Sequence, residues 1–262
     1  MYYIYFSYDS INNLSQITIM KKILLLPGLA ILSMAFYAFI PYKHSILSNK
    51  ADDKKVMEIA LFKVKKEHLA DFKTLNNNMS EQLSTYGGYM SSKTYQGISA
   101  DSVFVDIVWW ESMDKAKEAE AKFLNDDKLK DYRESLGRVL YYDHVTPIES
   151  GKLSFNAYNE KNATIELGIF KIKEGMNSQY LDTRVPLMNV ISKKYGEGLK
   201  EGIAYQSVER PLLHVEFTYW SSMDICTKAQ HEINEKEPTF NPFIQNFDNK
   251  GPSFYGFFKL IR

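Results

Sequence analysis

The chain repeats itself, and this repeat constrains its fold more than any other feature. The segment EIALFKVK begins at Glu58 and returns as ELGIFKIK at Glu166, and the pattern Trp-x-Ser-Met-Asp begins at Trp110 and again at Trp220. The offsets are 166−58=108 and 220−110=110, so the two copies are collinear with about two residues inserted. The sequence therefore predicts two tandem copies of one domain, each of roughly 100 residues and able to bury its own core.

Composition argues against two kinds of site. Because 32 Lys and Arg balance 32 Asp and Glu, the chain offers no basic surface for nucleic acid. The one cysteine, Cys226, cannot form an internal disulfide, and it is expected to fill a small space in the core. His and Cys residues do not occur at metal-ligand spacing, so we expect no metal.

The N-terminus is typical of an export signal. Residues 1–19 are expected to be an upstream extension, and residues 20–55 a signal peptide or membrane anchor followed by a polar linker. Lys21 and Lys22 precede the apolar run Ile23–Ile40, which is long enough to cross a bilayer nearly unaided. Cleavage and retention as an anchor both remain open. The protein is thus predicted to be periplasmic or extracellular, with membrane contact only through this segment.

Each copy has the pattern strand, helix, strand, strand, helix, strand. In copy one, residues 56–65 alternate, and apolar residues three and four apart between Leu69 and Tyr86 indicate an amphipathic helix. Ser112 or Asp114 is expected to cap the second helix. In copy two, Pro186 is expected to kink or interrupt the first helix, and Pro238 and Pro242 to break the region after the second.

This order predicts an α+β fold. We expect two ferredoxin-like βαββαβ domains at residues 56–153 and 163–262. A four-stranded sheet with helices on one side leaves its other face wet, yet the third strand of each copy is apolar on both faces. In copy one these faces are Val103, Val105, Ile107 and Trp109, and Phe104, Asp106, Val108 and Trp110. The sequence therefore predicts that the copies cover each other as an intramolecular pseudo-dimeric barrel, and that the chain is a monomer.

The strand-end Trp110 and Trp220, the Ser-x-acid helix start after each, and the aromatic last strand resemble the antibiotic biosynthesis monooxygenase-like family of the dimeric α+β barrel superfamily. The resemblance covers about residues 55–150 and 163–262. It implies a barrel with helices outside and, in active members, monooxygenation of an electron-rich aromatic without a cofactor. Haem-degrading members use an Asn, a Trp and a His in places where this chain has Ala60 and Gly168 on the first strand, and Ala119 and Ala229 on the second helix. We therefore expect no cofactor.

Four acids at equivalent positions are candidates for chemistry. Asp106 corresponds to Glu216, and each shares a strand face with the Trp that ends the strand. Glu58 corresponds to Glu166, and Gly168 can open space beside Glu166. One hypothesis is a sheet–helix pocket in which a desolvated carboxylate acts as acid or base. The alternative is that these acids pair with basic side chains and that the small residues let a helix approach.

Histidines and aromatics extend this hypothesis. His214 shares a strand face with Glu216, which makes an oriented general base in copy two, while His144 lies on the last strand of copy one. The catalytic candidates are thus Glu216, His214 and Asp106, with copy two favoured. The candidate ligand-binding residues are Glu58, Trp110, Tyr95, Glu166, Gly168, Tyr205 and Trp220.

Three functions remain open on the sequence alone. The first is binding of a small apolar or aromatic molecule outside the cytoplasm, which export favours. The second is cofactor-independent monooxygenation of an electron-rich aromatic substrate, and the third is a structural or partner-binding role with filled cores. The sequence leaves open whether the protein is an enzyme.

Overall fold

Strands and helices follow the predicted order in both parts of the chain. The computed structural model describes residues 55–148, 163–251 and 253–261, which belong to one compact unit. We call residues 55–148 half one and the described residues from 163 onward half two. The strands are β1 (Val56–Val64), β2 (Tyr89–Gly97), β3 (Val103–Trp110) and β4 (Leu136–Pro147) in half one, and β5 (Thr164–Lys171), β6 (Leu199–Ser207), β7 (Leu213–Trp220) and β8 (Phe254–Leu260) in half two.

The helices lie between these strands. They are α1 (Phe72–Leu83), α2 (Met113–Asn125) and α3 (Lys130–Ser135) in half one, and α4 (Asn177–Tyr195), α5 (Met223–Lys236) and α6 (Phe240–Ile244) in half two. The capping prediction for α2 is confirmed for Ser112, whose hydroxyl accepts a hydrogen bond from the Lys115 amide at 3.3 Å. Ser222 caps α5 in the same way through the Ile225 amide. Because both helices begin at the same position relative to the strand before them, corresponding residues of α2 and α5 lie over corresponding strands.

The described strands close into one antiparallel barrel. Its order is β1-β3-β2-β8-β5-β7-β6-β4, with β4 returning to β1. Within each half the order is the same, with the last strand beside the first and the third between the first and second. The halves meet at two seams, where β2 pairs with β8 and β4 pairs with β6.

Alternation along each strand separates two environments. One set of side chains from both halves fills the barrel interior, including Met57, Ile59 and Leu61 of β1. The other set faces the helices and forms one core in each half. The space between Tyr95, Val105, Ile165, Leu167, Phe217 and Phe258 holds no water-sized void. The barrel interior there is a packed core, so a candidate site is sought between the sheet and the helices.

Several sequence expectations need correction. Pro186 does not interrupt α4, which runs through it, because Val185 and Pro186 are exposed and water can satisfy the carbonyl that loses its donor. Pro242 lies inside α6 rather than ending a helix. The short helices α3 and α6 were not predicted. They bring Tyr132 and Phe243 into the sheet–helix cores of their halves.

The export prediction concerns a part of the chain that the structure does not describe. The extension at residues 1–19, the apolar run Ile23–Ile40 and the linker up to Lys54 all lie outside the described residues. Among the described residues, no helix combines the length and the apolar character needed to cross a membrane.

Candidate functional site

The two acids in the middle of β3 and β7 are held by the helices above them. Asp106 accepts hydrogen bonds from Asn76 Nδ2 at 3.2 Å, from Thr94 Oγ1 at 2.6 Å and from the Tyr132 hydroxyl. Asp106 is buried, so these donors satisfy a carboxylate that water cannot reach. This set of contacts ties α1, α3 and β2 to β3, which is a structural role.

Glu216, the counterpart of Asp106, is bound by α4. It accepts hydrogen bonds from the Tyr180 hydroxyl and from Arg184 Nε at 3.2 Å. The His214 ring instead stacks on Phe170, and its Nδ1 lies 3.4 Å from the Leu212 carbonyl oxygen. Burial lowers the pKa of His214 and favours the neutral ring. The sequence hypothesis that Glu216 orients His214 is therefore corrected. The Glu216 carboxylate accepts hydrogen bonds from Tyr180 and Arg184 of α4 instead.

Tyr95 and Tyr205 do not line a sheet–helix pocket. Both belong to the barrel interior, on the opposite face of the sheet from Trp110 and Trp220, and each is at most 3% exposed. The expectation that these four aromatics share one pocket is corrected. In the sequence the two tyrosines were chosen because they recur in both copies, and the face of the strand on which they lie was not considered.

The Glu–Trp pair recurs at equivalent places in both halves. Trp110 Nε1 donates to Glu58 Oε2 at 3.0 Å, and Trp220 Nε1 donates to Glu166 Oε2 at 2.8 Å. Both indoles are buried and close the end of the sheet–helix core. Each glutamate is thus held with one oxygen on an indole N–H. The residues that surround the rest of the carboxylate differ between the halves.

In half two both oxygens of the glutamate carboxylate accept hydrogen bonds. Glu166 also accepts hydrogen bonds from Gln230 Nε2 at 3.1 Å and from the Tyr255 hydroxyl. Burial raises the pKa of Glu166 although these donors oppose the shift. Beside it, a Cβ added at Gly168 would be in ordinary van der Waals contact with the Phe170 ring, at 3.5 Å, so the room over this glycine ends at that ring.

In half one the corresponding positions carry different chemistry. Glu58 pairs across the sheet with His144, as Glu166 pairs with Phe257. Glu120 stands eight residues after its helix cap (120−112=8), as Gln230 does (230−222=8). A histidine and a glutamate therefore replace the phenylalanine and glutamine of half two. Glu120 was missed in the sequence, although its equivalence to Gln230 follows from the repeat.

His144 is the least satisfied polar group of this cluster. Its side chain is 4% exposed, and its Nε2 lies 3.7 Å from Glu58 Oε2, an ion-pair distance too long for a hydrogen bond. This nitrogen has no hydrogen-bond partner. The Tyr142 ring, opposite Ala60 on β1, meets the imidazole edge to face at 5.5 Å. A buried nitrogen without a partner beside a half-buried carboxylate is a group that a ligand can satisfy.

The charges around His144 favour its protonated form. Burial opposes the charge, but Glu58, Glu120 and Glu209 outweigh it, so the pKa of His144 is raised above its ordinary value. Burial likewise raises the pKa of Glu120. The raised pKa values favour the charged form of His144 and the neutral form of Glu120, and perturbed pKa values of this kind cluster at functional sites. In the part of the chain that the structure describes, no three His, Cys, Asp or Glu side chains come together to hold a metal ion.

Solved structures share this fold over most of their length. An anthrone oxidase-like protein is 14% identical, with 81% of this chain and 93% of that chain covered and a TM-score of 0.59. A candidate chlorite dismutase is 11% identical, covering 79% and 95%, with a TM-score of 0.55. A candidate monooxygenase of Fusobacterium nucleatum is 9% identical, covering 82% and 94%, with a TM-score of 0.52.

These likenesses concern the fold, because the identities are low. No protein-family model and no curated protein matches the chain. What the likenesses establish is that this chain shares the fold of these structures, which here is an eight-stranded antiparallel barrel with helices.

Proposed function

We propose that the protein is a cofactor-independent monooxygenase of an electron-rich aromatic substrate, with its general base in half one. The observation that carries the proposal is the buried Nε2 of His144, which has no hydrogen-bond partner and lies 3.7 Å from Glu58. The names of two structural neighbours, an anthrone oxidase-like protein and a candidate monooxygenase, support this class of reaction.

The roles follow from the contacts. A substrate with an acidic hydroxyl or methylene group gives its proton to His144 Nε2, and Glu58 stabilises the imidazolium that forms. Trp110 is a positioning residue, since its indole N–H fixes the Glu58 carboxylate. The substrate anion then reduces molecular oxygen. Overall the substrate loses two hydrogen atoms and gains one oxygen atom, and the second oxygen atom leaves as water with those two hydrogen atoms.

Half one suits this chemistry better than half two, although the sequence favoured half two. A base must be able to take up a proton from the substrate, and Glu166 already accepts hydrogen bonds from Trp220, Tyr255 and Gln230. Phe257 takes the place of His144 there and accepts no proton. We therefore assign proton transfer to Glu58 and His144.

Half two supports a second candidate function, binding without chemistry. Gly168, which has no side chain, lies between the strand partners Glu216 and Tyr255, whose polar groups are held by neighbouring side chains. A small apolar or aromatic molecule bound against Gly168 and the Phe170 ring would need no proton transfer. Ligand binding by the chain in the absence of oxygen uptake would favour this function over the first.

Oxygen consumption tests the enzymatic proposal. With anthrone and polyhydroxylated phenols as probes, the parent protein is expected to consume oxygen and form the oxygenated product. His144→Phe, which copies the residue of half two, should lower kcat/KM about 100-fold or more, because a general base contributes at least that factor. Glu58→Gln should also lower it, since the imidazolium loses its carboxylate.

The matched control is His231→Phe, the same substitution at a solvent-exposed histidine of α5. It should keep the parent rate. Thermal unfolding of all variants separates loss of activity from loss of fold. The proposal fails if no probe is oxidised by the parent, or if His144→Phe is as active as His231→Phe while both remain folded.

We also propose that the two halves are copies of one ferredoxin-like unit that in this chain form a pseudo-dimer, with the chain itself a monomer. The common strand order of the halves and the two seams support this. The repeat of Glu58 with Trp110 as Glu166 with Trp220 gives it independent support.

Export from the cytoplasm is a further part of the proposal. It rests on Lys21, Lys22 and the apolar run Ile23–Ile40. Alkaline phosphatase is active only after it leaves the cytoplasm, so a fusion placed after Lys55 is expected to be active. A fusion from which residues 23–40 have been deleted serves as the control and should be inactive. Equal inactivity of both fusions would contradict export.

A further inference from the structure

The hairpin between β6 and β7 reaches across a seam of the barrel. It belongs to half two, yet the Val208 amide donates to the His144 carbonyl oxygen at 2.9 Å. Arg210 Nη2 donates to the Tyr142 carbonyl oxygen at 2.9 Å and forms an ion pair with Asp143 at 2.8 Å. The tip of this hairpin is therefore fixed on β4, beside the cluster of half one.

The tip carries a charge to that cluster. Glu209 lies between Val208 and Arg210, and its Oε1 is 3.3 Å from Lys117 Nζ on α2. Both side chains are 55% exposed, so this pair adds little stability by itself. The Glu209 charge adds to the larger effects on the two titratable groups nearby: burial raises the pKa of Glu120, Glu58 and Glu120 raise the pKa of His144 against burial, and Glu209 acts in the same direction on both. Half two thus contributes an acid to the surroundings of a base in half one.

The corresponding hairpin of half one makes no such contribution. The Ile98 amide between β2 and β3 donates to the Phe257 carbonyl oxygen at 2.9 Å, which mirrors the contact of Val208 with His144. Its next two residues are Ser99 and Ala100, where half two has Glu209 and Arg210. The backbone contact is shared by both seams, but the adjacent acid and arginine after it occur only in the β6–β7 hairpin.

We propose that the β6–β7 hairpin of half two completes the site of half one, with Glu209 as a positioning residue that holds Lys117 at the edge of the site beside His144. This inference rests on the proposed function for its catalytic meaning. Half two thereby has a role of its own, because a dimer of half one alone would present Ser99 at this place instead of an acid.

The charge around His144 comes from several elements. Glu58 faces it from β1, Tyr142 lies beside it on β4, and Glu120 and Lys117 belong to α2, while Glu209 and Arg210 come from the hairpin. Burial disfavours the imidazolium and so lowers the pKa of His144, while the nearby acids raise it. Removing the Glu209 carboxylate takes away part of the effect that opposes burial. The pKa of His144 should therefore fall when Glu209 is replaced by a neutral residue.

The test is a titration of His144 by nuclear magnetic resonance in the full chain. Glu209→Ser, which copies Ser99, should lower the pKa of His144 by about 0.5 pH unit, the size expected for one nearby charge close to the surface. Glu209→Asp should restore most of the parent value. Ser99→Glu places the same charge on the other hairpin, beside Phe257, and should leave the titration of His144 unchanged.

The pH dependence of kcat/KM provides a second measurement of the same effect. The acid limb of the kcat/KM profile should move to lower pH in Glu209→Ser by the same interval as the pKa of His144. An unchanged titration of His144 in folded Glu209→Ser overturns the inference. The titration does not depend on turnover, so a shifted pKa without oxygen consumption would support the role of the hairpin while rejecting the oxygenase.

Discussion

Each half expressed alone is expected to self-associate or aggregate, whereas residues 55–262 together should give a folded monomer. The barrel interior is built from both halves, so separation exposes the inner face of each sheet to water. In half one this face includes Ile59, Leu61, Val105 and Ile107, each at most 1% exposed in the intact barrel. Separation also leaves the edges of β2 and β4 without their partners β8 and β6.

Light scattering coupled to size exclusion measures this directly. Half one and half two should each elute as dimers or larger species, and mixing them should produce some of the paired barrel. The control is the two-half protein without residues 1–54, which keeps both seams. A well-folded monomeric half one, with dispersed amide resonances at high concentration, would show that the halves do not depend on each other.

Asp143→Ala is expected to lower the free energy of unfolding by about 1–3 kcal/mol, the range for leaving buried hydrogen-bonding groups without a partner. The side chain of Asp143 is 2% exposed and pairs with Arg210 across the β4–β6 seam at 2.8 Å. It also accepts hydrogen bonds from the Tyr141 hydroxyl at 2.8 Å and from Ser207 Oγ at 3.0 Å. The substitution leaves the buried Ser207 hydroxyl and the part-buried Tyr141 hydroxyl without their acceptor.

Chemical denaturation measures the change. Glu118→Ala is the control, because Glu118 pairs with Lys115 at 2.7 Å but both side chains are exposed, so it should cost less than about 1 kcal/mol. The double variant Asp143→Ala with Arg210→Ala should lose less than the sum of the single losses, since it removes both charges together. Equal effects of Asp143→Ala and Glu118→Ala would mean that the seam pair does not hold the halves together.

Much of the architecture could be read from local pattern. The period of two along β3 placed Asp106, Val108 and Trp110 on one face, and the structure keeps them together on the helix side. The repeat identified Glu58 with Glu166 and Trp110 with Trp220 as equivalent, and each pair makes the same hydrogen bond. These features depend on side-chain alternation and on collinear copies, both of which one sequence contains.

The candidate site was only partly predictable. His144 and Glu58 were both singled out, but they are 86 residues apart (144−58=86) and become neighbours only through the β1–β4 register. His214 and Glu216 share a strand face two residues apart, yet Glu216 is taken by Arg184 from a helix that crosses above it. Sequence proximity therefore favoured a pair that the helix packing separates.

By itself, the sequence determined the repeat, the order of strands and helices in each copy, and which acids and tryptophans are equivalent, because these follow from periodicity along the chain. Only the tertiary structure decided that the β6–β7 hairpin brings Glu209 to His144, that Tyr95 and Tyr205 enter the barrel interior, and that Glu166 is saturated with donors while His144 is not. The physical reason is that strand register across the seams and helix position over the sheet are fixed by the packing of both halves at once, which no local spacing specifies.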